Sequence, residues 1–361
     1  MGLGVALGLL APFSFSFAAL PLLQDERGIP TAAAIVEKAT PAVVNISVRT
    51  RAPGQDNPLY RDPFFRRFFE LPDIPRTQMS AGSGVIVDAQ RGYVLTNNHV
   101  VANAHEIVVT LKDGRRFDAR VAGTDPATDI AVLRIKADRL SAIPLGDSEK
   151  LKVGDFVLAI GNPFGLGQTV TSGIISALGR GGLNMDGYED FIQTDAPINP
   201  GNSGGALLTL DGRLIGINTA ILAPSGGNVG IGFAVPSNMV RVVMEQLVQH
   251  GEVRRGRLGV SMQDVTPDLA DALGFKEARG IVITQVEPGS PAASAGLQPG
   301  DVILAINRRP VSSSSALRNQ VGLMEIGAAV ELTVWRDGGT RTVRTWLAPP
   351  ARVRQPPAAF R

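Results

Sequence analysis

The sequence predicts a mainly β protein whose first domain is all-β and whose second, smaller domain mixes strands with helices. Between residues 82 and 236, short apolar runs alternate with turn residues and no long helical pattern separates them. This spacing favours an antiparallel barrel or sandwich over a parallel α/β sheet. The chain of 361 residues has 41 glycines, 25 prolines and few aromatic residues, a composition typical of strands and turns.

The first domain is expected to span residues 30–250. A helix is predicted at 32–40 and a strand at 43–48, and one helix closes the domain, with Ser237 as its cap and Gly251 at its end. Apolar residues at Val240, Val243 and Leu247 lie on one face of that closing helix. Three hairpins are predicted: 85–87 with 93–96, 107–111 with 116–121, and 206–210 with 214–218.

The second domain is expected to span residues 256–348, after a charged linker at 251–255. A disordered tail is predicted at 349–361, where proline and arginine are frequent. The strands predicted within the second domain are 281–286, 302–306, 329–335 and 342–346, and its helices are 291–295 and 314–320.

The N-terminus carries an apolar segment. Residues 1–24 contain no charge, and Ser16, Phe17 and Ala18 would serve as a small-x-small cleavage site. We therefore expect an export signal or a membrane anchor, and the sequence leaves open whether the segment is cleaved. A buried core helix is the weaker alternative.

Composition excludes several function classes. Lys and Arg number 35 against 33 Asp and Glu, and no basic stripe is present, so nucleic acid is not an expected partner. The absence of cysteine excludes disulfides, thiolate zinc sites and a cysteine nucleophile. Without a P-loop or a metal-ligand cluster, the sequence predicts no cofactor and no metal site.

The strongest chemical signal is the pentapeptide of residues 201–205, Gly-Asn-Ser-Gly-Gly. A nucleophilic serine needs a tight turn on which backbone N–H groups converge, and flanking glycines permit it. The same pattern matches the nucleophile elbow of α/β-hydrolases. That fold is excluded because its histidine comes last, whereas His250 lies in an ordinary helix, and because strands rather than a helix follow Ser203.

Three histidines are present, and His99 is the best candidate for a general base. It follows an apolar strand, whereas His105 lies in a polar stretch and is expected to be solvated. The orienting acid should be buried beside the base, and Asp129 precedes an apolar run. Its rival Asp125 precedes a proline, which predicts an exposed turn.

These motifs, in the order His, Asp, Ser, resemble those of the HtrA/Deg family of trypsin-like serine proteases. The resemblance covers about residues 30–348, and it is carried by the stretches 93–101, 123–133, 161–167, 190–205, 214–223 and 230–237. It implies a chymotrypsin-like double β-barrel of two six-stranded barrels followed by a small α+β PDZ domain. The site residues it implies are the triad His99, Asp129 and Ser203, an oxyanion hole at Gly201, Asn202 and Ser203, and a substrate-binding strand at Thr219, Ala220, Ile221, Leu222 and Ala223.

The specificity pocket is expected to be uncharged. Pro197 stands six positions before Ser203, where a trypsin-like pocket needs an acid. Asp195 is close, but it can serve as an acceptor within its loop. The family prefers small aliphatic residues, so we expect cleavage after Val, Ala or Leu.

The resemblance also assigns a peptide groove in the second domain. A PDZ domain binds a chain end by strand addition and holds the terminal carboxylate with backbone amides. Peptides with apolar C-termini are therefore expected partners, facing a helix near 314–321. The groove residues are expected to be Arg257, Leu258, Gly259, Val260, Ser261 and Met262.

Further expectations come from the family alone. Members form homotrimers, for which the aromatic cluster at 64–69 is a candidate contact, and Arg180 is a candidate allosteric relay from the peptide groove. The resemblance predicts an ATP-independent serine endopeptidase that acts on unfolded or misfolded envelope proteins in the periplasm, either soluble or anchored. Two alternatives stay open: a regulatory protease that cuts one membrane-bound signalling substrate, and a PDZ binding or holdase protein with a silent protease domain.

Overall fold

The computed structural model describes residues 31–51, 77–163, 167–181, 188–199, 201–219, 230–276, 279–311 and 313–349. The predicted export segment, the aromatic cluster at 64–69, residues 220–223 of the predicted substrate strand and nearly all of the predicted tail lie outside these residues. Within the described ranges, no helix is both long and apolar enough to cross a membrane.

The first part of the chain forms a seven-stranded antiparallel sheet, here called the N-terminal sheet. Its elements are α1 (Ala33–Ala39), β1 (Val43–Arg51), β2 (Thr77–Asp88), β3 (Tyr93–Asn97), α2 (Asn98–Val101), β4 (Ala104–Thr110), β5 (Arg116–Asp118), β6 (Arg120–Asp125) and β7 (Ile130–Arg134). The strand order is β5-β4-β1-β2-β3-β7-β6. The expected barrel of six strands differs in count because Ala119 interrupts one strand, and its N–H donates to Ile107 O at 2.9 Å. Since the two edge strands are joined by this single residue, the sheet curls back toward itself.

The next six strands close into a barrel, here called the C-terminal barrel. They are β8 (Phe156–Gly161), β9 (Thr169–Arg180), β10 (Phe191–Thr194), β11 (Ala206–Thr209), β12 (Leu214–Thr219) and β13 (Gly232–Pro236), paired in the order β10-β13-β12-β11-β8-β9. The predicted hairpin around Asp211 and Gly212 is β11 with β12. Gly212 has φ 77°, the left-handed conformation that such a turn requires.

A helix, α3 (Ser237–His250), packs against the apolar core of the first domain. Val240, Val243 and Leu247 are fully buried, as their spacing predicts, and Gly251 ends the helix at φ 74°. The prediction that Ser237 caps the helix is wrong. Its hydroxyl donates instead to Gly146 O at 3.2 Å, and Pro236 occupies the cap position without a side-chain bond.

The second domain has a separate apolar core and a six-stranded sheet. Its elements are β14 (Val260–Asp264), α4 (Pro267–Leu273), β15 (Ile281–Val286), α5 (Pro291–Ser294), β16 (Val302–Ile306), β17 (Arg309–Pro310), α6 (Ser314–Leu323), β18 (Ala329–Arg336) and β19 (Gly339–Trp346). Helix α4 was not among the elements predicted from the sequence. Its signals were present: Thr266 caps it, Pro267 opens it and Gly274 ends it at φ 65°.

Truncation of Leu247 tests the packing of α3. We expect Leu247→Ala to lower the free energy of unfolding by about 2–5 kcal/mol, because the buried side chain leaves a cavity. The exposed Glu245 on the same helix gives the control, and Glu245→Ala should change it by less than about 0.5 kcal/mol. Chemical denaturation measures both. Equal effects would contradict the packing described here.

Candidate active site

The fold places His99 in contact with Asp129 and brings the turn of Ser203 against the same sheet. His99 lies in α2, directly after β3, and Asp129 directly precedes β7. Because β3 and β7 are paired with Asn97 opposite Ile130, these two residues are neighbours across the sheet. Ser203 comes from the C-terminal barrel, on the turn before β11, and its carbonyl accepts a 2.8 Å bond from the N–H of Ser83 in β2. The site therefore lies where the sheet meets the barrel.

The carboxylate of Asp129 is buried and accepts three hydrogen bonds. Oδ2 lies 2.7 Å from His99 Nδ1 and accepts from the Thr219 hydroxyl at 3.1 Å, while Oδ1 accepts from the His99 N–H at 3.0 Å. A carboxylate only accepts, so Nδ1 of a neutral imidazole donates here and Nε2 is left as the acceptor. The imidazole is a third exposed, so this nitrogen can meet a substrate.

The backbone at Asp129 is strained and is held in place by its surroundings. Its φ is 56°, which a non-glycine residue seldom adopts. The carbonyl of Asp129 accepts from the Asn98 N–H and from the Asn97 side-chain amide, both at 3.0 Å. These bonds come from the two residues that directly precede His99, so the acid and the base are fixed to one another.

The expectation that Asp125 is exposed is wrong. Its side chain is 3% exposed, and both of its oxygens accept from the guanidinium of Arg255, at 2.9 and 2.5 Å. Thr128 also donates to it at 2.6 Å. The linker arginine lies 130 residues along the chain and covers the turn, which local sequence cannot reveal. Asp129 remains the carboxylate that contacts a histidine.

The turn around Ser203 depends on its glycines. Gly201 and Gly204 have φ of 95° and 81°, and a Cβ at Gly204 would collide with the Ser83 carbonyl. Within the turn, the Asn202 N–H donates to Asn199 O at 3.0 Å. The Asn202 amide is therefore engaged within the turn, and the other two residues of the predicted oxyanion hole, Gly201 and Ser203, lie on either side of it.

The remaining predicted residues of the protease site lie as follows. Thr219 ends β12 and contacts Asp129, as described above. Asp195 accepts from the Ile174 N–H at 2.7 Å, so its carboxylate is bonded to the backbone of β9. Arg180 ends β9 and bonds Gln193 Oε1 through Nε at 2.9 Å, which links it to β10.

The predicted peptide groove is a cavity of about 390 Å³ between β14 and α6. Residues 256–262 line it on one side, and Leu317 and Val321 of α6 line the other. Gly259 has φ 79°, and a Cβ there would collide with Ser290. The cation that the sequence placed beside the groove is not free, because Arg257 pairs with Glu287 at 2.6 Å.

Tyr188 of the first domain also lines this groove. Its ring lies so close to α6 that a Cβ at Gly322 would collide with it, and the guanidinium of Arg255 stacks over it at 4.4 Å. Asn319 of α6 donates to Glu189 O at 2.6 Å. None of these contacts could be predicted from the sequence, because the pairing of the residues depends on how the two domains meet.

A second cavity, of about 810 Å³, lies between the domains and contains Asp190. Burial, together with the negative charge of Glu149, raises the pKa of Asp190 to about 6. Arg309 of the second domain pairs with Glu149 at 3.3 Å. Asp190 is thus a carboxyl that changes charge under mildly acidic conditions.

Comparison with known proteins agrees with this geometry. Residues 82–217 match the trypsin-like peptidase domain family, and residues 256–347 match the PDZ domain family. The periplasmic pH-dependent serine endoprotease DegQ of Escherichia coli (strain K12) is 49% identical over 353 residues, covering 96% of this chain and 76% of DegQ. The periplasmic serine endoprotease DegP of the same organism is 48% identical over 361 residues, covering 93% and 76% respectively. The chain belongs to the HtrA family of serine endoproteases.

Solved HtrA structures share the fold. The HtrA-type protease AlgW with tripeptide matches with a TM-score of 0.72 at 45% identity, over 91% of this chain and 99% of that one. The comparisons confirm the predicted fold class: this HtrA protease combines a trypsin-like peptidase domain with one PDZ domain. They equally confirm the predicted activity of a serine endopeptidase.

Substitution of the buried acid tests its contact with His99. We expect Asp129→Asn to lower kcat by about 10⁴-fold, because the amide can donate to Nδ1 and stabilise the wrong tautomer. The buried Asp301 of the second domain provides a matched control, since it also pairs with an arginine, Arg336, and Asp301→Asn leaves the histidine contact intact and should cost far less. Steady-state peptide cleavage measures both. Equal losses would show that the loss of any buried carboxylate, rather than the wrong tautomer of His99, lowers the rate.

The raised pKa of Asp190 predicts a pH-dependent stability. Its carboxyl ionises near pH 4 in the unfolded chain and near pH 6 in the folded one, so folding loses stability as the pH rises between these values. Asp190→Asn removes this penalty and should stabilise the protein at pH 7 by about 1–2 kcal/mol, after allowance for partial exposure, with little effect at pH 4. Denaturation across this range tests it, with exposed Asp138→Asn as the control. A gain at pH 4 as large as that at pH 7 would contradict it.

Proposed function

We propose that this HtrA protease is an exported, ATP-independent endopeptidase that cleaves unfolded or misfolded envelope proteins through His99, Asp129 and Ser203. The observation that carries the proposal is the 2.7 Å contact of His99 Nδ1 with the buried carboxylate of Asp129, beside the glycine-bounded turn of Ser203. The periplasmic naming of DegP and DegQ supports an envelope location. The uncharged apolar N-terminal segment supports export, as a cleaved signal or as an anchor.

The mechanism follows from this arrangement. Ser203 Oγ attacks the scissile carbonyl while His99 Nε2 takes its proton, and Asp129 stabilises the imidazolium that forms. The amides of Gly201 and Ser203 donate to the developing oxyanion. Collapse of the tetrahedral intermediate passes the proton from His99 to the leaving amine and forms an acyl-enzyme. Water then attacks the acyl carbon with His99 again as the base, which releases the product acid and restores Ser203.

We propose cleavage after Val, Ala or Leu. Pro197 carries no charge, and the carboxylate of Asp195 is already bonded to the Ile174 N–H. Ile198 is buried and packs against Gly232, where a Cβ would lie 3.0 Å from its side chain. A small apolar pocket accepts an aliphatic side chain and leaves a cationic one without a partner.

We also propose that occupancy of the PDZ groove regulates the protease site. Tyr188 contributes to the groove wall and stacks under Arg255, and Arg255 holds Asp125, four residues before Asp129. This chain of contacts supports the regulatory protease as a second candidate function. Arg180 stays a candidate relay, since it bonds β10 ahead of the nucleophile turn. Homotrimer formation stays a prediction of the family.

Degradation of an unfolded protein tests the proposal. We expect the full chain to degrade it and Ser203→Ala to be inactive, because the nucleophile is lost. Addition of a peptide that ends in an apolar residue should raise the rate.

The outcomes separate the candidate functions. Cleavage without peptide supports general protein quality control, whereas activity that appears only with peptide supports the regulatory protease. No cleavage under either condition would leave a PDZ binding or holdase protein and would overturn the proposal.

A further inference from the structure

A single buried hydroxyl connects the nucleophile turn to the N-terminal sheet. Ser83 lies in β2 and is fully buried, and its Oγ is 2.6 Å from Gly201 O and 2.7 Å from the Asn162 N–H. A carbonyl oxygen only accepts and a backbone N–H only donates. The Ser83 hydroxyl therefore donates to Gly201 and accepts from Asn162, and the direction of its proton is fixed by its two partners.

The bond to Gly201 controls a peptide that has little conformational preference of its own. Gly201 has φ 95°, a region open to glycine in which its backbone can rotate at low cost. The Ser83 N–H also donates to Ser203 O at 2.8 Å. One residue of β2 thus holds the carbonyls on both sides of Asn202.

The bond to Asn162 extends this control to a second loop. Asn162 directly follows β8, and its carbonyl accepts from the Asn45 side-chain amide of β1 at 3.0 Å. The N-terminal sheet therefore holds both polar groups of the Asn162 backbone. Through Ser83, the start of this loop and the nucleophile turn share one hydroxyl.

We propose that Ser83 is a positioning residue, whose hydroxyl holds the peptide between Gly201 and Asn202 so that the amides of Gly201 and Ser203 converge on the developing oxyanion. The inference rests on the proposed function, which assigns these two amides to the oxyanion. Charge develops on that oxygen only in the transition state, so loss of the hydroxyl slows the reaction without weakening substrate binding. A hydroxyl that merely satisfied two buried backbone groups would affect stability alone.

Two variants of equal size isolate the hydroxyl. Ser83→Thr keeps it, and Ser83→Val replaces it with a methyl group of similar volume. Ser83→Ala supplies a smaller variant in case the branched side chains do not fit. Ser237→Ala is the matched control, because it removes another buried serine hydroxyl that donates to a backbone carbonyl, that of Gly146, outside the proposed active site.

Two properties of the full chain are measured, both in the presence of a peptide that ends in an apolar residue. The first is kcat and KM for a peptide substrate, and the second is the inhibition constant Ki of a peptide aldehyde. The hydroxyl of Ser203 adds to the aldehyde carbonyl and forms a hemiacetal, in which the former carbonyl oxygen occupies the oxyanion position. We expect Ser83→Val and Ser83→Ala to lower kcat by roughly 10- to 100-fold with KM within about twofold, and the aldehyde Ki to rise by the same factor. Ser83→Thr should keep most of the activity, and Ser237→Ala should keep kcat even where its melting temperature falls.

Three results would overturn the inference: equal kcat for Ser83→Val and Ser83→Thr, a loss confined to KM, or a loss in Ser83→Ala no larger than that of Ser237→Ala. If the branched variants do not fold, the comparison of Ser83→Ala with Ser237→Ala decides alone. Ser203→Ala, assayed in parallel, separates the two proposals. If it still cleaves, the proposed function fails, whatever Ser83 does.

Discussion

The site depends on one buried carboxylate, that of Asp129. An ionised carboxylate away from water is costly unless each oxygen is hydrogen-bonded, and here the donors come from both halves of the first domain. His99, in α2 directly after β3, donates through its N–H and its Nδ1, and the Thr219 hydroxyl approaches from the end of β12. The carboxylate therefore joins sheet and barrel while it orients the histidine. Hydrogen bonds to its carboxylate and to its carbonyl hold the residue at a φ of 56°, which is strained for a non-glycine residue.

A second buried ion pair connects the linker to the same turn. Asp125 is almost fully buried and forms two hydrogen bonds with the partly buried Arg255, and the arginine also stacks on Tyr188. A buried pair of this kind adds little net stability over apolar residues, but removal of either partner leaves an uncompensated charge. Such a pair contributes more to fixing one arrangement of the linker against the turn than to the free energy of unfolding. The ion pair lies between the wall of the peptide groove and the turn that carries Asp129, so it connects the two domains.

The sequence was most informative where chemistry restricts the choice of residue. Only three histidines were available, and a serine flanked by glycines ahead of a strand is typical of a nucleophile turn, so His99 and Ser203 could be named as candidates without a structure. Contacts between segments that are distant in the sequence could not be predicted in this way. Asp125 was expected to be exposed because the residue that covers it, Arg255, lies far along the chain, and Ser83 carried no local signal at all. Helix α4 is a different case, because its cap, its first-turn proline and its terminal glycine are local signals from which it could have been predicted.

The central claim is that Ser203 is the nucleophile activated by His99 and Asp129. Labelling with a fluorophosphonate tests it most directly, with an apolar-ended peptide present and the adduct located by mass spectrometry of the digested protein. The account predicts one adduct, on Ser203, which is lost in His99→Ala while the melting temperature stays close to that of the native chain. An adduct on another serine, or labelling of Ser203 at an unchanged rate without His99, would contradict it.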